Sequence, residues 1–231
     1  LVAARLLDLS ANRDGFIADL SPAGRPGAML VGSSPEVLVK RQGSTVSAFP
    51  LAGSSPRRAS AAEDHIAGQD LLHSAKDLHE HSFVVEHLRR VLSPLCERLA
   101  IPDTPQLIST NEMWHLGTPI SGTLKDKDLT ALELALAAHP TPAICGTPAE
   151  AAQALIETAE TDRGFYAGAV GWCDSSGDGE YMVAIRCAEV AGDGLSARAW
   201  AGGGIVGDSD AQAELEETTA KLRTILKALS L

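Results

Sequence analysis

The hydrophobic positions of the chain change between strand-like and helix-like spacing along its length. Short apolar and β-branched runs bounded by turn residues are typical of strands. They predict strands at 28–31, 37–40, 45–49, 167–173, 181–190 and 195–201. Gln42 and Gly43 form a predicted turn between the second and third strands. The order of these runs predicts an antiparallel meander.

Apolar residues at helical spacing occupy the remaining long segments of the chain. They predict helices at 61–99, with a possible interruption, and at 129–138, 148–160 and 210–229. Helices that pack on antiparallel sheets define an α+β fold. With 231 residues, of which 45% are hydrophobic, the chain can bury the core of one domain or of two small ones.

The first long helix carries a carboxylate in line with its apolar face. This face repeats at helical spacing through Val84, Leu88, Val91, Leu95 and Leu99. One turn earlier the same stripe reaches Glu80. An isolated charge is costly to bury, so Glu80 must be paired, protonated or bound to a metal.

The last helix places Glu214, Glu217 and Lys221 at positions i, i+3 and i+7, along the edge of its apolar side. The apolar side comprises Leu215, Leu222, Ile225, Leu226 and Leu229. One interpretation is an exposed ladder of charge pairs. The other is a set of oxygen ligands that, together with Glu80, suits Mg²⁺.

Arg186 interrupts an apolar run within the predicted strand 181–190. A guanidinium there requires an anion, which is either a structural ion-pair partner or the carboxylate of a substrate. The glycines at 202–204 leave backbone N–H groups accessible to an anion. The nucleotide-binding patterns GxxxxGK[ST] and GxGxxG are absent, which argues against a nucleotide ligand.

Histidines and cysteines give little sign of metal chemistry. His79 and His81 are two residues apart and would point to different faces of a helix, so they do not form a metal-binding pair. His115 lies in a segment whose pattern predicts no element. The four cysteines, Cys96, Cys145, Cys173 and Cys187, lack zinc-site spacing and are expected to be buried thiols in a reducing compartment.

The net charge of −11 argues against nucleic acid and anionic membrane as partners. No run of about 18 apolar residues is present, as a membrane-spanning helix would need. These observations favour a soluble protein of the cytoplasm.

Nine ordered motifs carry a resemblance to a known family. They are GSSPEV at 32–37, PLAGS at 50–54, SAKDLHEH at 74–81, PQLIST at 105–110, WHLGTP at 114–119, HPTPAICG at 139–146, DRGFYAGAVGWCD at 162–174, IRCAEV at 185–190 and AGGGIV at 201–206. With the charged residues of the last helix, they resemble the catalytic region of the chorismate-utilising enzymes, most closely the isochorismate synthase branch. The resemblance implies that residues 1–231 are one chorismate-binding catalytic domain with the antiparallel fold of the aminodeoxychorismate synthases, incomplete at its N-terminal end.

The resemblance also implies a reaction and a set of roles. Water adds to ring carbon C2 of chorismate while the C4 hydroxyl leaves, in a Mg²⁺-dependent isomerisation. The implied catalytic residues are Glu36, as the general acid, and His115, near the ring. The implied metal site is Glu80 and Glu217, accompanied by Glu214. The implied substrate-binding residues are Gly53, Ala143, Tyr166, Arg186, Gly202, Gly203, Gly204 and Lys221. A monomer is expected.

The matched pattern departs from the family at the start of the chain. There the general base is a lysine, which would directly precede Leu1. The resemblance further implies upstream strands, whose absence is expected to expose sheet edges. The segment 10–30 is about one helix shorter than the family pattern.

Several functions remain open. Apolar Ala143, Ile144 and Trp200 favour release of isochorismate, whereas Tyr166 points towards a salicylate synthase-type lyase activity. Without the base, the chain could be a non-catalytic chorismate-binding protein. A third alternative is a generic Mg²⁺-dependent hydrolase, but this alternative leaves the ordered motifs unexplained. Isochorismate feeds both siderophore and menaquinone synthesis, and the sequence does not choose between them.

Overall fold

The computed structural model describes residues 2–10 and 14–230. The strands are β1 (Gly15–Asp19), β2 (Met29–Ser33), β3 (Val37–Gln42), β4 (Thr45–Phe49), β5 (Leu51–Pro56), β6 (Cys96–Ala100), β7 (Gln106–Ser109), β8 (Met113–Gly117), β9 (Ile120–Leu124), β10 (Ala169–Cys173), β11 (Gly179–Val183), β12 (Cys187–Val190) and β13 (Ala197–Ala199). The helices are α1 (Val2–Leu9), α2 (Ala61–His73), α3 (Ala75–Leu92), α4 (Ala131–Ala138), α5 (Pro142–Cys145), α6 (Ala149–Ala159) and α7 (Ala211–Leu229).

The largest sheet has six antiparallel strands in the order β10-β11-β3-β4-β9-β6. Alternate side chains of its strands, such as Val39 and Val46, face a core that α3 and α4 cover with Leu88, Leu92 and Leu134. A capping box starts α4. The Thr130 side chain accepts a hydrogen bond from the Glu133 N–H, and the Glu133 carboxylate accepts one from the Thr130 N–H. The sheet, α3 and α4 therefore share one hydrophobic core.

A three-stranded antiparallel sheet, β5-β8-β7, packs against α2 and α3. The pairing of β5 with β8 changes register between Leu51 and Ser54, which marks a β-bulge. Gly53, within the bulge, has a φ of 78°. A Cβ atom there would lie 3.0 Å from the Cβ of Asp77, so glycine permits α3 to approach the bulge closely.

A four-stranded antiparallel sheet, β1-β2-β12-β13, packs against the two terminal helices. Leu6 of α1 and Ile225 of α7 share a small core with Val31 and Ala188 of the sheet. Asp210 caps α7 by accepting from the Ala213 N–H at 2.9 Å. The packing fixes the face of α7 that bears the charged residues.

The predicted α+β class with helices on antiparallel sheets is confirmed, but the simple meander is wrong. Strands that are distant in sequence pair with each other: β2 with β12, and β3 with β11. The predicted strand 181–190 is two strands in two different sheets, because the chain turns at Arg186, whose φ is 51°. Strands β1 and β5–β9 were not predicted, including β8, which carries His115.

Helix and burial predictions also need correction. The predicted helix 61–99 is α2 and α3, separated at Ser74, which caps α3 by accepting from the Asp77 N–H. It then ends in a 3₁₀ turn and β6, since the proline at 94 opens that turn. Leu215 is 59% exposed, and Glu214 faces inward in its place. Only Cys96 and Cys187 are buried, whereas Cys145 and Cys173 are half-buried.

Within the described residues, no helix combines the length and hydropathy needed to cross a membrane.

Candidate active site

One cleft brings together most of the residues that the sequence singled out. It encloses about 760 Å³, including its open mouth, and eleven of the thirteen predicted site residues line it. They are Glu36, Gly53, Glu80, His115, Ala143, Tyr166, Arg186, Gly202, Gly203, Gly204 and Lys221. Glu214 and Glu217 do not line the cleft, but they adjoin its wall at Gly203. The fold thus gathers side chains from both ends of the chain into one site.

Glu36 precedes β3 and is 3% exposed. Burial raises the pKa of its carboxyl to about 7, although the Leu51 N–H and the charges of Arg186 and Lys221 favour the ionised form. A carboxyl with such a pKa carries a proton over part of the neutral pH range. Glu36 can therefore donate a proton to a ligand in the cleft.

Arg186 faces the same cleft from the turn between β11 and β12. Burial lowers the pKa of its guanidinium, while Tyr166, Glu217 and Glu36 favour the charged form. No hydrogen bond or ion pair within the described part of the chain reaches this side chain. The guanidinium is consequently available to bind an anion that enters the cleft.

His115 on β8 is 4% exposed, and its Nε2 atom has no hydrogen-bond partner in the described chain. Burial and the nearby positive charges of Arg186 and Lys221 hold its pKa well below the usual value. The imidazole is therefore neutral at pH 7. A neutral ring with an unpaired nitrogen can form a hydrogen bond to a bound molecule.

A cluster of carboxylates adjoins the cleft, with Glu80 of α3 lining it and Glu217 and Glu214 of α7 lying next to its wall at Gly203. Glu217 accepts a hydrogen bond from the Ser54 hydroxyl at 2.8 Å and pairs with Lys221. Lys221 also donates to the Gly202 carbonyl at 3.1 Å. Burial and the negative charge of Glu217 raise the pKa of Glu80 to about 7. The two carboxylates are close enough to repel each other, which a cation between them would relieve.

Glu214 completes this cluster from one turn earlier on α7. One of its oxygens lies 2.8 Å from the Lys76 ammonium, and the other, Oε2, is buried with no hydrogen-bond partner among residues 2–10 and 14–230. A Cβ atom at Gly203 would lie 3.1 Å from this oxygen. At Gly204 a Cβ atom would collide with the Glu80 carboxylate. The glycines therefore let the backbone lie directly against the carboxylates.

The carboxylate cluster fits a Mg²⁺ ion. Across residues 2–10 and 14–230, no three His, Cys, Asp or Glu side chains are grouped as a complete metal site. Mg²⁺ does not need such a group, because it keeps several waters and takes one or two carboxylates plus substrate oxygens. The facing carboxylates of Glu80 and Glu217 match this requirement, as does the unpaired oxygen of Glu214.

Arg163 also lines the cleft, and the sequence did not indicate it. Arg163 donates to the Ile144 carbonyl at 2.7 Å, binds Glu160 through two nitrogens and lies 5.9 Å from the Tyr166 ring centre. Trp200, which the sequence indicated together with Ala143 and Ile144, does not itself line the cleft but stacks against Tyr166 with ring centres 6.2 Å apart. Arg163 occurs in the matched DRG stretch, but its role depends on contacts that no sequence pattern displays.

A model of the family described as chorismate binding enzyme matches residues 20–230. The chain belongs to the chorismate-binding enzyme family. It is 52% identical over 227 residues to the MenF protein of Mycobacterium tuberculosis, covering 97% of this chain and 61% of that protein. It is 49% identical over 217 residues to isochorismate synthase DhbC of Bacillus subtilis, covering 93% of this chain and 54% of that protein.

Solved structures of chorismate-binding enzymes have the same fold. The structure of DhbC from Bacillus anthracis covers this whole chain with a TM-score of 0.92 and 43% identity, and 61% of that protein is matched. The menaquinone-specific isochorismate synthase MenF of Escherichia coli gives a TM-score of 0.79 and 27% identity, over 97% of this chain and 52% of that one. The fold that the resemblance implied is confirmed, and the chain spans about three-fifths of the MenF protein of M. tuberculosis.

The raised pKa of Glu36 predicts a pH-dependent stability. Because this pKa is about 7 in the folded chain and 4.5 ordinarily, the folded state binds a proton that the unfolded chain releases between these values. The contribution of Glu36 to stability is therefore greatest below pH 4.5, and it is lost as the pH rises towards and through about 7. Glu36→Gln removes this loss, so the variant should gain about 2–3 kcal/mol over wild type between pH 4.5 and pH 7.5.

Urea unfolding of both proteins at several pH values measures this gain. The difference between them cancels the titration of the other groups, including His115. A difference that stays constant over the range would mean that Glu36 titrates normally.

Proposed function

We propose that this chain carries the substrate-binding, metal-binding and general-acid residues of a Mg²⁺-dependent isochorismate synthase. The observation that carries the proposal is the shared cleft. It is lined by the buried carboxyl of Glu36, by the Arg186 guanidinium, which has no ion-pair partner among the described residues, and by Glu80 of the carboxylate cluster. Chorismate has two carboxylates, and its C4 hydroxyl leaves while a ring double bond migrates. The cleft offers positively charged and N–H groups for the carboxylates and a protonated carboxyl for the leaving hydroxyl. The isochorismate synthases among its relatives support the same assignment.

The chain's residues would bind and orient the substrate. Arg186 would take one carboxylate of chorismate through paired N–H groups, and the backbone at Gly53 and Gly202–Gly204 would approach the other. Mg²⁺, held by Glu80 and Glu217 with Glu214 beside them, would neutralise this second carboxylate. Tyr166 and Ala143 would bound the ring plane.

The reaction requires one proton at the leaving oxygen and the loss of one from the incoming water. Protonated Glu36 would donate to the C4 hydroxyl, so that the C4–O bond breaks with release of water while the ring double bond migrates. A second water forms the new bond at C2 and gives its proton to a base. The resemblance implies a lysine as this base, and no residue of this chain is assigned to that step.

Isochorismate could serve either of two pathways, menaquinone synthesis or siderophore synthesis. The relatives include MenF, a menaquinone-specific isochorismate synthase in Escherichia coli, and a vibriobactin-specific isochorismate synthase in Vibrio cholerae. We propose isochorismate as the product common to both, with chorismate as the small-molecule partner.

Binding calorimetry of chorismate tests the metal site directly. With Mg²⁺ present, Glu80→Gln should weaken chorismate binding by about 10- to 100-fold, because the variant loses a charged metal ligand. With EDTA present, wild type and variant should bind equally weakly. Glu86→Gln on the same helix is a matched control, since Glu86 is exposed and forms a surface ion pair with Arg89.

Equal binding by Glu80→Gln and wild type in Mg²⁺ would remove Glu80 from the metal site. Binding that does not depend on Mg²⁺ in any variant would contradict the metal assignment as a whole.

A further inference from the structure

His81 follows Glu80 on α3, but its side chain points into the protein, where it is 2% exposed. Its Nδ1 lies 3.0 Å from the Ala52 carbonyl oxygen and its Nε2 lies 2.7 Å from the Thr118 hydroxyl. A carbonyl only accepts, so Nδ1 carries the hydrogen, and Nε2 then accepts the hydrogen of Thr118. Both ring nitrogens are thereby occupied in one orientation and one tautomer.

The carbonyl that His81 binds belongs to the β-bulge of β5. The register of β5 against β8 shifts between Leu51 and Ser54, so Ala52 and Gly53 lie outside the regular pairing. Ala52 is 6% exposed, and a buried carbonyl without a partner is costly. His81 therefore supplies, from a neighbouring helix, a partner at the place where the sheet is irregular.

The bulge forms one wall of the cleft. Residues 51–54 all line the cleft. The Leu51 N–H donates a hydrogen bond to the Glu36 carboxyl, and the Ser54 hydroxyl donates one to Glu217. One turn before His81, Asp77 packs against Gly53. The helix that carries Glu80 thus touches the bulge at two successive turns, and among the described residues only the His81 contact is a hydrogen bond from this helix to the bulge.

We propose that His81 is a positioning residue, whose imidazole holds the bulge at Ala52–Gly53 in register with the Glu80 carboxylate. His81 does not line the cleft and makes no contact with a ligand there. Its effect passes through the backbone of β5 to the anion-binding glycine and to the hydroxyl that orients Glu217. The ligand used in the test rests on the proposed function, whereas the effect on the bulge does not.

The test compares three variants of the full chain with wild type. His81→Leu removes both hydrogen bonds, and His81→Asn keeps a donor near the position of Nδ1. Leu88→Ala truncates a core residue of the same helix that is 1% exposed and far from the bulge in sequence, so it reports a general loss of stability. Two quantities are measured: hydrogen–deuterium exchange of the peptide 50–56 without ligand, and chorismate binding in Mg²⁺.

In His81→Leu, exchange of the peptide 50–56 should accelerate about tenfold and chorismate binding should weaken about tenfold, the size expected for one lost buried hydrogen bond. His81→Asn should restore both to within about threefold of wild type, and Leu88→Ala should change neither by more than about threefold. If His81→Leu does not fold, Thr118→Val, which removes only the donor to Nε2, should still accelerate exchange in this peptide.

Exchange at 50–56 as slow as in wild type would overturn the proposal if it were found in folded His81→Leu. If His81→Leu does not fold, the same result in Thr118→Val would overturn it. Equal losses in Leu88→Ala would overturn it as well, since they would show a general effect of stability. If wild type itself does not bind chorismate, the proposed function fails, and the exchange measurement alone decides the role of His81.

Discussion

Replacement of Glu36 by Gln is expected to lower chorismate turnover by about 10²- to 10⁴-fold, the range that a general acid contributes. Gln has the shape of the protonated carboxyl but holds no transferable proton. Chorismate binding in Mg²⁺ should change by less than about threefold, because the substrate carboxylates are bound elsewhere. Chromatographic product rates and calorimetric affinities of the two proteins separate the two effects.

The control for this variant is Glu97→Gln, an exposed carboxylate on β6 whose loss should leave both quantities unchanged. Wild-type activity should also fall as the pH rises above about 7, where Glu36 loses its proton. Turnover by Glu36→Gln near the wild-type rate would show that another group protonates the leaving oxygen.

Replacement of Arg186 by Gln should weaken chorismate binding by about 100-fold or more, as loss of a charge-assisted pair in a closed site costs several kcal/mol. The same change should stabilise the ligand-free chain, because it removes an enclosed cation that has no ion-pair partner among the described residues. Calorimetry and urea unfolding measure the two results. Opposite signs would identify a residue kept for binding at the expense of stability.

Two further variants control this result. Arg186→Lys keeps the charge without the planar fork, so it should recover only part of the affinity. Arg198→Gln removes an exposed arginine outside the cleft and should leave binding unchanged. A destabilised Arg186→Gln chain that still binds chorismate would instead mean that Arg186 stabilises the fold and does not bind the substrate.

Helical periodicity located the parts of the site that depend on one helix alone. Glu80 continues the apolar stripe of α3, and Val84 and Leu88 on that stripe are buried as predicted. The spacing of Glu214, Glu217 and Lys221 likewise places them along one side of α7. Periodicity is a local property, so it identified these positions without knowledge of the sheets.

The parts that failed depend on contacts between distant segments. Arg186 was assigned to a strand interior, because alternation does not reveal a residue in left-handed conformation where the chain passes from one sheet to another. Leu215 was assigned to the core, although Lys76 of another helix holds Glu214 inward in its place. The contacts of Ser54, Arg163 and His81 are long-range, and a single sequence shows no trace of them.

The order of the motifs supplied what periodicity could not. Glu36 stands in a short segment between β2 and β3 with no pattern of its own, and only its place in GSSPEV indicated a role. The structure buries this carboxyl in the cleft with a raised pKa, which is the property an acid there would need. Its role in catalysis stays a prediction until turnover is measured.

The most direct test of the account is to incubate the 231-residue chain with chorismate and Mg²⁺, with EDTA in a parallel sample, and to separate the products by chromatography. We predict isochorismate in the Mg²⁺ sample and none with EDTA. In that case a group other than the implied lysine accepts the proton of the attacking water. Salicylate with pyruvate would instead indicate the lyase activity, and Mg²⁺-dependent binding without any product would indicate a chorismate receptor that lacks a base. Absence of both binding and product would contradict the assignment of the cleft.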